Sequence, residues 1–254
     1  MLDELISGDV FSLSLVFARV GSAIMLMPGF GETFVAPRIR LMIALATTVI
    51  VTPVVSQYLP PMPTEMLAAT VLVVGEVVIG IFLGGITRLL ISALHIAGVI
   101  IGFQTSLANA TFFDPSNAQQ GAVFAAFLNL LGIFVIFASD LHHLMLMGVA
   151  DSYTLFRPGM TLPFGDFLET VIRLISESFA LGMQLSAPFM AVAIIFYAGL
   201  GLLGRLMPQI QFFFIAVPLQ IILSLAVMAM TLSAGMLWFL SHFQDTLYRF
   251  AGQG

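Results

Sequence analysis

The sequence predicts an all-α membrane protein with six to seven helical segments. Hydrophobic residues make up 60% of the chain and charged residues 8%, whereas an ordinary soluble domain carries roughly 25% charged residues. The mean hydropathy is +1.10. The apolar residues form continuous runs without the period-two alternation of barrel strands, which favours helices over a membrane barrel.

Each helical segment corresponds to one apolar run close to the ~20 residues that a spanning helix needs. The seven runs lie at about 10–28, 39–58, 67–87, 89–110, 122–150, 172–204 and 210–241. Proline and glycine stand between most of them, and both residues favour turns over helix continuation. The breaks are Pro28-Gly29-Phe30-Gly31 before Pro37, Pro60-Pro61-Met62-Pro63, Asp114-Pro115, Arg157-Pro158-Gly159 and Pro208. No linker is long enough to divide the chain, so residues 1–254 are predicted to form a single membrane domain.

Arginine placement predicts the orientation, because cytoplasmic loops collect positive charge. Arg38 and Arg40 mark one side as cytoplasmic, and Arg88 falls on that side if all seven segments span. The chain starts MLDELISGDV, which is acidic where an export signal is basic. No cleavable export signal is therefore expected.

Ionisable residues inside the apolar runs are candidates for function, because a charge at bilayer depth costs at least ~2.5 kcal/mol. They are Arg19, Glu76, Arg88, Asp140 and the pair His142-His143. Glu76 and Arg88 are separated by about 18 Å along a straight helix, so each needs another partner. We expect both to lie near segment ends, snorkelling or pairing across a subunit contact. The alternative is a self-contained transporter, although its charges would cluster in broken helices.

The sequence predicts no enzyme, cofactor or metal site. Asp140 and His143 share a helix face, but we find no further ligand with suitable spacing, and Ser139 to His143 is interpreted as a polar turn. Cysteine is absent, and no nucleophile and base pair, phosphate loop or zinc-protease motif occurs. The net charge of −5 and the lack of a basic cluster argue against nucleic acid as a partner.

Small residues recur at four-residue spacing, which allows helices to approach closely in lipid. Gly80 with Gly84 and Gly98 with Gly102 are the clearest pairs. The spacing leaves open whether these positions contact partner subunits or pack within the chain.

A polar patch interrupts the middle of the chain from Gly102 to Gly121. Asp114 is the only formally charged residue between Leu89 and Ser139. Proline disfavours the helical conformation of the residue before it, so the Asp114-Pro115 step predicts a bend or loop. Composition leaves open whether that bend is a connector or a gate.

Three motifs resemble, in order and spacing, those of the FliR family of flagellar export proteins, to which the T-type subunits of virulence type III secretion systems are equivalent. They are Pro28-Gly29-Phe30-Gly31-Glu32-Thr33-Phe34-Val35-Ala36-Pro37-Arg38-Ile39-Arg40, then Gly102-Phe103-Gln104 through Ala108 to Pro115, then Gly201-Leu202-Leu203-Gly204-Arg205-Leu206-Met207-Pro208-Gln209. The resemblance extends over essentially the whole chain, but the motifs separate the two branches poorly.

The resemblance implies a non-enzymatic subunit of a protein export gate in the bacterial inner membrane, within the flagellar basal body. Its helical segments would be bent or hairpin-like and would pack into a multi-subunit helical assembly. The implied partners are FliP-like and FliQ-like gate subunits, an FlhB-like subunit and unfolded export substrates.

The resemblance also implies the site residues of a pore plug, while residue spacing and buried charge predict a second set, at subunit contacts. The loop after the Gly-x-Gln segment would plug the pore, with Phe112 and Phe113 as occluding side chains. The plug residues are Ala108, Asn109, Ala110, Thr111, Phe112, Phe113, Asp114, Pro115, Ser116 and Asn117. The residues expected to pack against other subunits are Glu76, Gly80, Gly84, Gly98, Gly102, Arg205, Pro208 and Gln209.

Overall fold

The computed structural model describes residues 2–105, 123–207 and 212–250, with side chains described except at 2–7 and 212–215. Within these ranges the chain forms seven α-helices and no strand, which confirms the all-α prediction. The helices are α1 Leu2–Leu26, α2 Pro37–Val55, α3 Met66–Gln104, α4 Val123–Ala138, α5 Leu141–Leu155, α6 Phe164–Leu206 and α7 Phe212–Phe250. A 3₁₀ turn, Ser56–Tyr58, follows α2.

The third and fourth apolar runs belong to one helix. The sequence predicts a boundary at Arg88, but α3 continues through it for 39 residues. A charge interrupts the hydropathy pattern without breaking the backbone, and arginine is a good helix former. The Arg88 side chain is 46% exposed. The prediction that Arg88 lies at a segment end was therefore wrong, and the predicted orientation, which assumed seven spanning segments, stays a prediction.

The fifth apolar run divides into two helices, α4 and α5. The break falls at Ser139-Asp140, inside the predicted polar turn, which is confirmed. Asp140 adopts the left-handed conformation with φ of 59°. Only glycine, asparagine and aspartate visit this region readily, so the residue type suits a helix break.

Five helical stretches are long and apolar enough to span a membrane: Gly8–Leu26, Pro37–Tyr58, Met66–Gln104, Phe164–Leu206 and Ala216–Phe250. The bent pair α4 and α5 makes a sixth if it forms one broken span. The predicted multi-pass membrane architecture is therefore confirmed for the described residues.

Contacts divide the chain into two compact units. The first contains Met1–Leu90, Phe137–Ile175 and Gln244–Gly254, and the second contains Ile91–Ile136 and Ser176–Phe243. The cores include fully buried side chains, such as Leu15, Ile24 and Tyr153 in the first unit and Leu94, Ile136 and Phe239 in the second. Helices α3, α4, α6 and α7 each contribute to both units. A single domain over residues 1–254 stays a prediction.

Candidate functional site

A buried ion pair lies in the first unit and joins α1 to α3. Arg19 Nε donates to Glu76 Oε2 at 2.7 Å, and Arg19 Nη2 donates to Oε1 at 2.9 Å. The side chains are 0% and 1% exposed. Two parallel bonds between a guanidinium and a carboxylate are the strongest geometry available to such a pair.

The remaining donors of Arg19 reach α5 and its C-terminal end. Nη1 donates to Ser152 Oγ at 3.0 Å, and Nη2 donates to the Phe156 carbonyl at 2.7 Å. The guanidinium carbon lies 3.8 Å from the centre of the Tyr153 ring, within range of a cation–π contact. One side chain therefore ties α1, α3 and α5 together.

This geometry gives Glu76 and Arg19 a structural role inside the chain. A buried charge is costly unless its hydrogen bonds are satisfied, and here a carboxylate, a hydroxyl, a carbonyl and an aromatic face surround the guanidinium. The sequence identified both residues but could not pair them, because they are 57 positions apart. The expected contact of Glu76 with another subunit stays a prediction.

Gly80 and Gly84 lie next to this ion pair and allow α3 to approach α1. A Cβ at Gly80 would overlap Ser22 Oγ and the Arg19 carbonyl, and one at Gly84 would overlap the Ala23 carbonyl. The glycines are therefore used for packing within the chain, one of the two roles that their spacing allows. Their role in subunit contacts stays a prediction.

Gly98 likewise allows α3 to pack closely against α4 in the second unit, since a Cβ there would overlap the backbone of Ala125. Gly102 is also buried. By contrast, Arg205 is exposed, near the C-terminal end of α6. Pro208 and Gln209 lie outside the described residues.

The first sequence motif forms the loop between α1 and α2 and, from Pro37 to Arg40, the start of α2. Gly29 has φ of +83°, and a Cβ there would overlap the Phe137 ring at the end of α4. Phe30 packs on the same ring, with centroids 5.3 Å apart. The motif therefore requires glycine for both its backbone angle and the space beside Phe137.

The same loop supplies a partner for Arg88, whose Nη1 donates to Glu32 Oε1. Glu32 is 6% exposed, whereas Arg88 is partly exposed. Sequence patterns do not single out Glu32 as a partner, since it lies in a loop 56 positions away. Glu76 and Arg88 thus bind different partners, whereas the transporter alternative expects charges grouped together.

Asp140, His142 and His143 form a small polar cluster at the start of α5. Their possible ligand atoms lie within 4.8 Å of one another, and Asp140 Oδ1 lies 3.7 Å from His143 Nδ1. Helix spacing paired Asp140 with His143 alone, although the sequence also singled out His142. Asp140 is not in the helical conformation, so helix spacing does not describe its neighbours. The exposed fractions of Asp140 and His143, 80% and 65%, fit a solvated turn.

The predicted plug residues, Ala108 to Asn117, lie outside the described residues. The structure describes the chain on either side of them, up to Thr105 just after α3 and again from Val123 at the start of α4.

Comparison with known proteins identifies the family. The sequence profile described as "Bacterial export proteins, family 1" matches residues 10–246. The chain is 39% identical to the flagellar biosynthetic protein FliR of Caulobacter vibrioides, over 91% of this chain and 92% of the relative. The chain belongs to this family. It is also 31% identical to FliR of Pectobacterium carotovorum subsp. carotovorum, over 85% of this chain and 82% of the relative. With FliR of Aquifex aeolicus it shares 27% identity, over 96% of this chain and 94% of the relative.

Membership of the FliR family confirms the resemblance seen in the three motifs. The matched residues 10–246 include at least part of each of the seven helices of the described ranges. Together with the apolar helices, it identifies the chain as a multi-pass protein of the bacterial inner membrane.

Proposed function

We propose that this chain is a non-enzymatic subunit of the flagellar protein export gate, and that it helps to form and to plug the pore through which unfolded flagellar substrates cross the inner membrane. The observation that carries the proposal is the 39% identity to a FliR protein over 91% of this chain. The relatives named above are all flagellar biosynthetic proteins, which favours the flagellar branch over a virulence secretion system.

The exposed apolar surface of α6 and α7 supports a role within an assembly. Ile194 and Ile195 on α6 are 67% and 73% exposed, and Met230 on α7 is 82% exposed. Lipid or protein must cover such side chains. In the proposed gate, FliP-like, FliQ-like and FlhB-like subunits would cover part of this surface.

The plug proposal concerns Ala108 to Asn117. Phe112 and Phe113 have the bulk to close a narrow pore, while Ser116 and Asn117 suit a wet surface, and Asp114-Pro115 favours a bend. No nucleotide or metal is needed for such a closure.

Complementation tests membership of the gate. The chain is expressed in a flagellated bacterium whose own FliR gene is deleted, and secretion of flagellar substrates and motility are measured. Recovery of both is expected. Expression in the membrane without any secretion would contradict the proposed function.

Deletion of Ala110 to Gln120 tests the plug separately. The deletion is expected to raise ion leakage through the assembled gate, because it removes Phe112 and Phe113. Normal secretion with unchanged leakage would contradict a plug. Solute flux through the purified chain alone in liposomes would instead support the transporter alternative.

A further inference from the structure

We infer that Gln220 on α7 is a positioning residue that, together with Tyr197 on α6, fixes the end of α3, from which the chain continues toward the proposed plug segment. The inference rests on the proposed function for its consequence, but not for its geometry. All three residues involved, Gln104, Tyr197 and Gln220, belong to the second unit.

The side-chain amide of Gln220 binds the main chain at the last residue of α3. Its Nε2 donates to the Gln104 carbonyl. The same nitrogen lies 3.0 Å from Tyr197 Oη, which in turn lies 3.3 Å from Gln220 Oε1. Gln220 is 3% exposed, so this amide finds its hydrogen bonds inside the protein.

The bond meets a specific need of the end of α3. The last four carbonyls of a helix lack the usual partner within it, and an unsatisfied carbonyl is costly where water is excluded. At this end, the Thr105 amide donates to the Ile101 carbonyl at 2.9 Å, and Thr105 Oγ1 donates to the Gly102 carbonyl at 3.0 Å. Gln220 supplies the donor for the carbonyl of Gln104.

Gln220 differs from these local partners because it comes from another helix. Thr105 bonds to carbonyls of its own helix, so those bonds do not depend on where α3 lies. Gln220 can bind the Gln104 carbonyl only when α7 is correctly placed beside the C-terminal end of α3. Tyr197 restrains the amide further, since its hydroxyl can bond both amide atoms. Hydrogen bonds therefore link α3, α6 and α7 at Gln104, the last residue of α3.

The consequence concerns the segment that follows. Ala108, the first proposed plug residue, comes four positions after Gln104. Fixing the Gln104 carbonyl fixes the end of the helix from which the chain continues toward that segment. Loss of the Gln220 donor is expected to make the C-terminal end of α3 more mobile without removing any plug residue.

The test uses Gln220→Leu, which keeps the approximate size but removes donor and acceptor, and Tyr197→Phe, which removes only the hydroxyl. Gln184→Leu on α6 is the matched control, because Gln184 is exposed in the same unit. Three quantities are measured in the full assembled gate: co-purification of the partner subunits, amide hydrogen exchange of peptides covering residues 101–110, and ion conductance in planar bilayers.

Gln220→Leu is expected to assemble, to exchange at least tenfold faster over residues 101–110 and to conduct at least tenfold more than the wild type, with Tyr197→Phe intermediate and Gln184→Leu unchanged. Unchanged exchange in Gln220→Leu overturns the inference. Should Gln220→Leu fail to assemble, the exchange of Tyr197→Phe is measured instead, and unchanged exchange in that variant overturns the inference.

The plug deletion separates the two proposals. If the deletion raises conductance but Gln220→Leu does not, the positioning role is overturned and the plug stands. If neither raises conductance although Gln220→Leu accelerates exchange, the plug is overturned and only the anchor at the end of α3 stands.

Discussion

Arg19 and Glu76 form a bidentate ion pair, with N–O distances of 2.7 and 2.9 Å and with both side chains almost fully buried. Removing one partner leaves an uncompensated buried charge, which typically costs about 3–5 kcal/mol. Replacing both by apolar residues of similar size is often much less costly.

The first prediction follows from this pair. Arg19→Met and Glu76→Leu alone should each lower the free energy of unfolding by about 3–5 kcal/mol, whereas the double variant should lose less than either. Denaturant unfolding of the purified chain in detergent measures the difference. Arg173→Met, at an exposed position, is the control and should change little. Additive losses in the double variant would mean that the pair is not coupled.

The second prediction concerns Gly80, whose missing Cβ makes room for Ser22 and the Arg19 carbonyl. Gly80→Ala should destabilise the isolated chain by about 1–3 kcal/mol, because overpacking forces neighbouring backbone to move. Gly85→Ala on the same helix is the matched control, since a Cβ added there would meet no neighbouring group within 4 Å. That control should stabilise the helix by about 0.5–1 kcal/mol.

Co-purification then separates internal packing from a subunit contact. If Gly80→Ala leaves the thermal stability of the isolated chain unchanged but abolishes binding of the FliP-like and FliQ-like partners, Gly80 belongs to an interface rather than to the contact of α1 with α3.

The third prediction compares two glycines with positive φ, Gly29 at +83° and Gly159 at +86°. Alanine at either position should lower the free energy of unfolding by about 1–3 kcal/mol, because alanine rarely adopts a positive φ. Gly29→Ala should cost more, because its Cβ would overlap the Phe137 ring, whereas Gly159 has only Leu72 Cδ2 at 3.2 Å. The melting temperatures of the two variants provide the measurement, and equal losses would argue against a role for Phe137.

The fourth prediction concerns Asp140, whose φ of 59° makes it the non-glycine residue with positive φ among the described residues. Asp140→Gly should be as stable as the wild type or more stable by up to about 1 kcal/mol, because glycine adopts this conformation freely. Asp140→Ala should be less stable, although it removes a side chain that is 80% exposed. A reversed order in thermal unfolding would show that the carboxylate itself matters.

Sequence patterns predicted the class of fold but not the pairing of its charges. Proline and glycine marked the loop between α1 and α2, and the polar turn at Asp140 was correctly placed, since both depend on local backbone preferences. The helix boundary assigned to Arg88 was wrong because hydropathy reports burial rather than backbone conformation. The partners Arg19 with Glu76 and Glu32 with Arg88 come from distant positions, which periodicity along one helix cannot connect.

The length of α3 has a further consequence for what surrounds the protein. Its 39 residues give a contour length of about 58 Å, roughly twice the ~30 Å thickness of a hydrocarbon core. Helix α6, with 43 residues, is longer still. If either helix crosses the bilayer at an ordinary tilt, about half of its apolar surface projects beyond the acyl chains. Other protein subunits must cover that half, because acyl chains do not reach it. The chain is therefore suited to an assembly rather than to lipid alone.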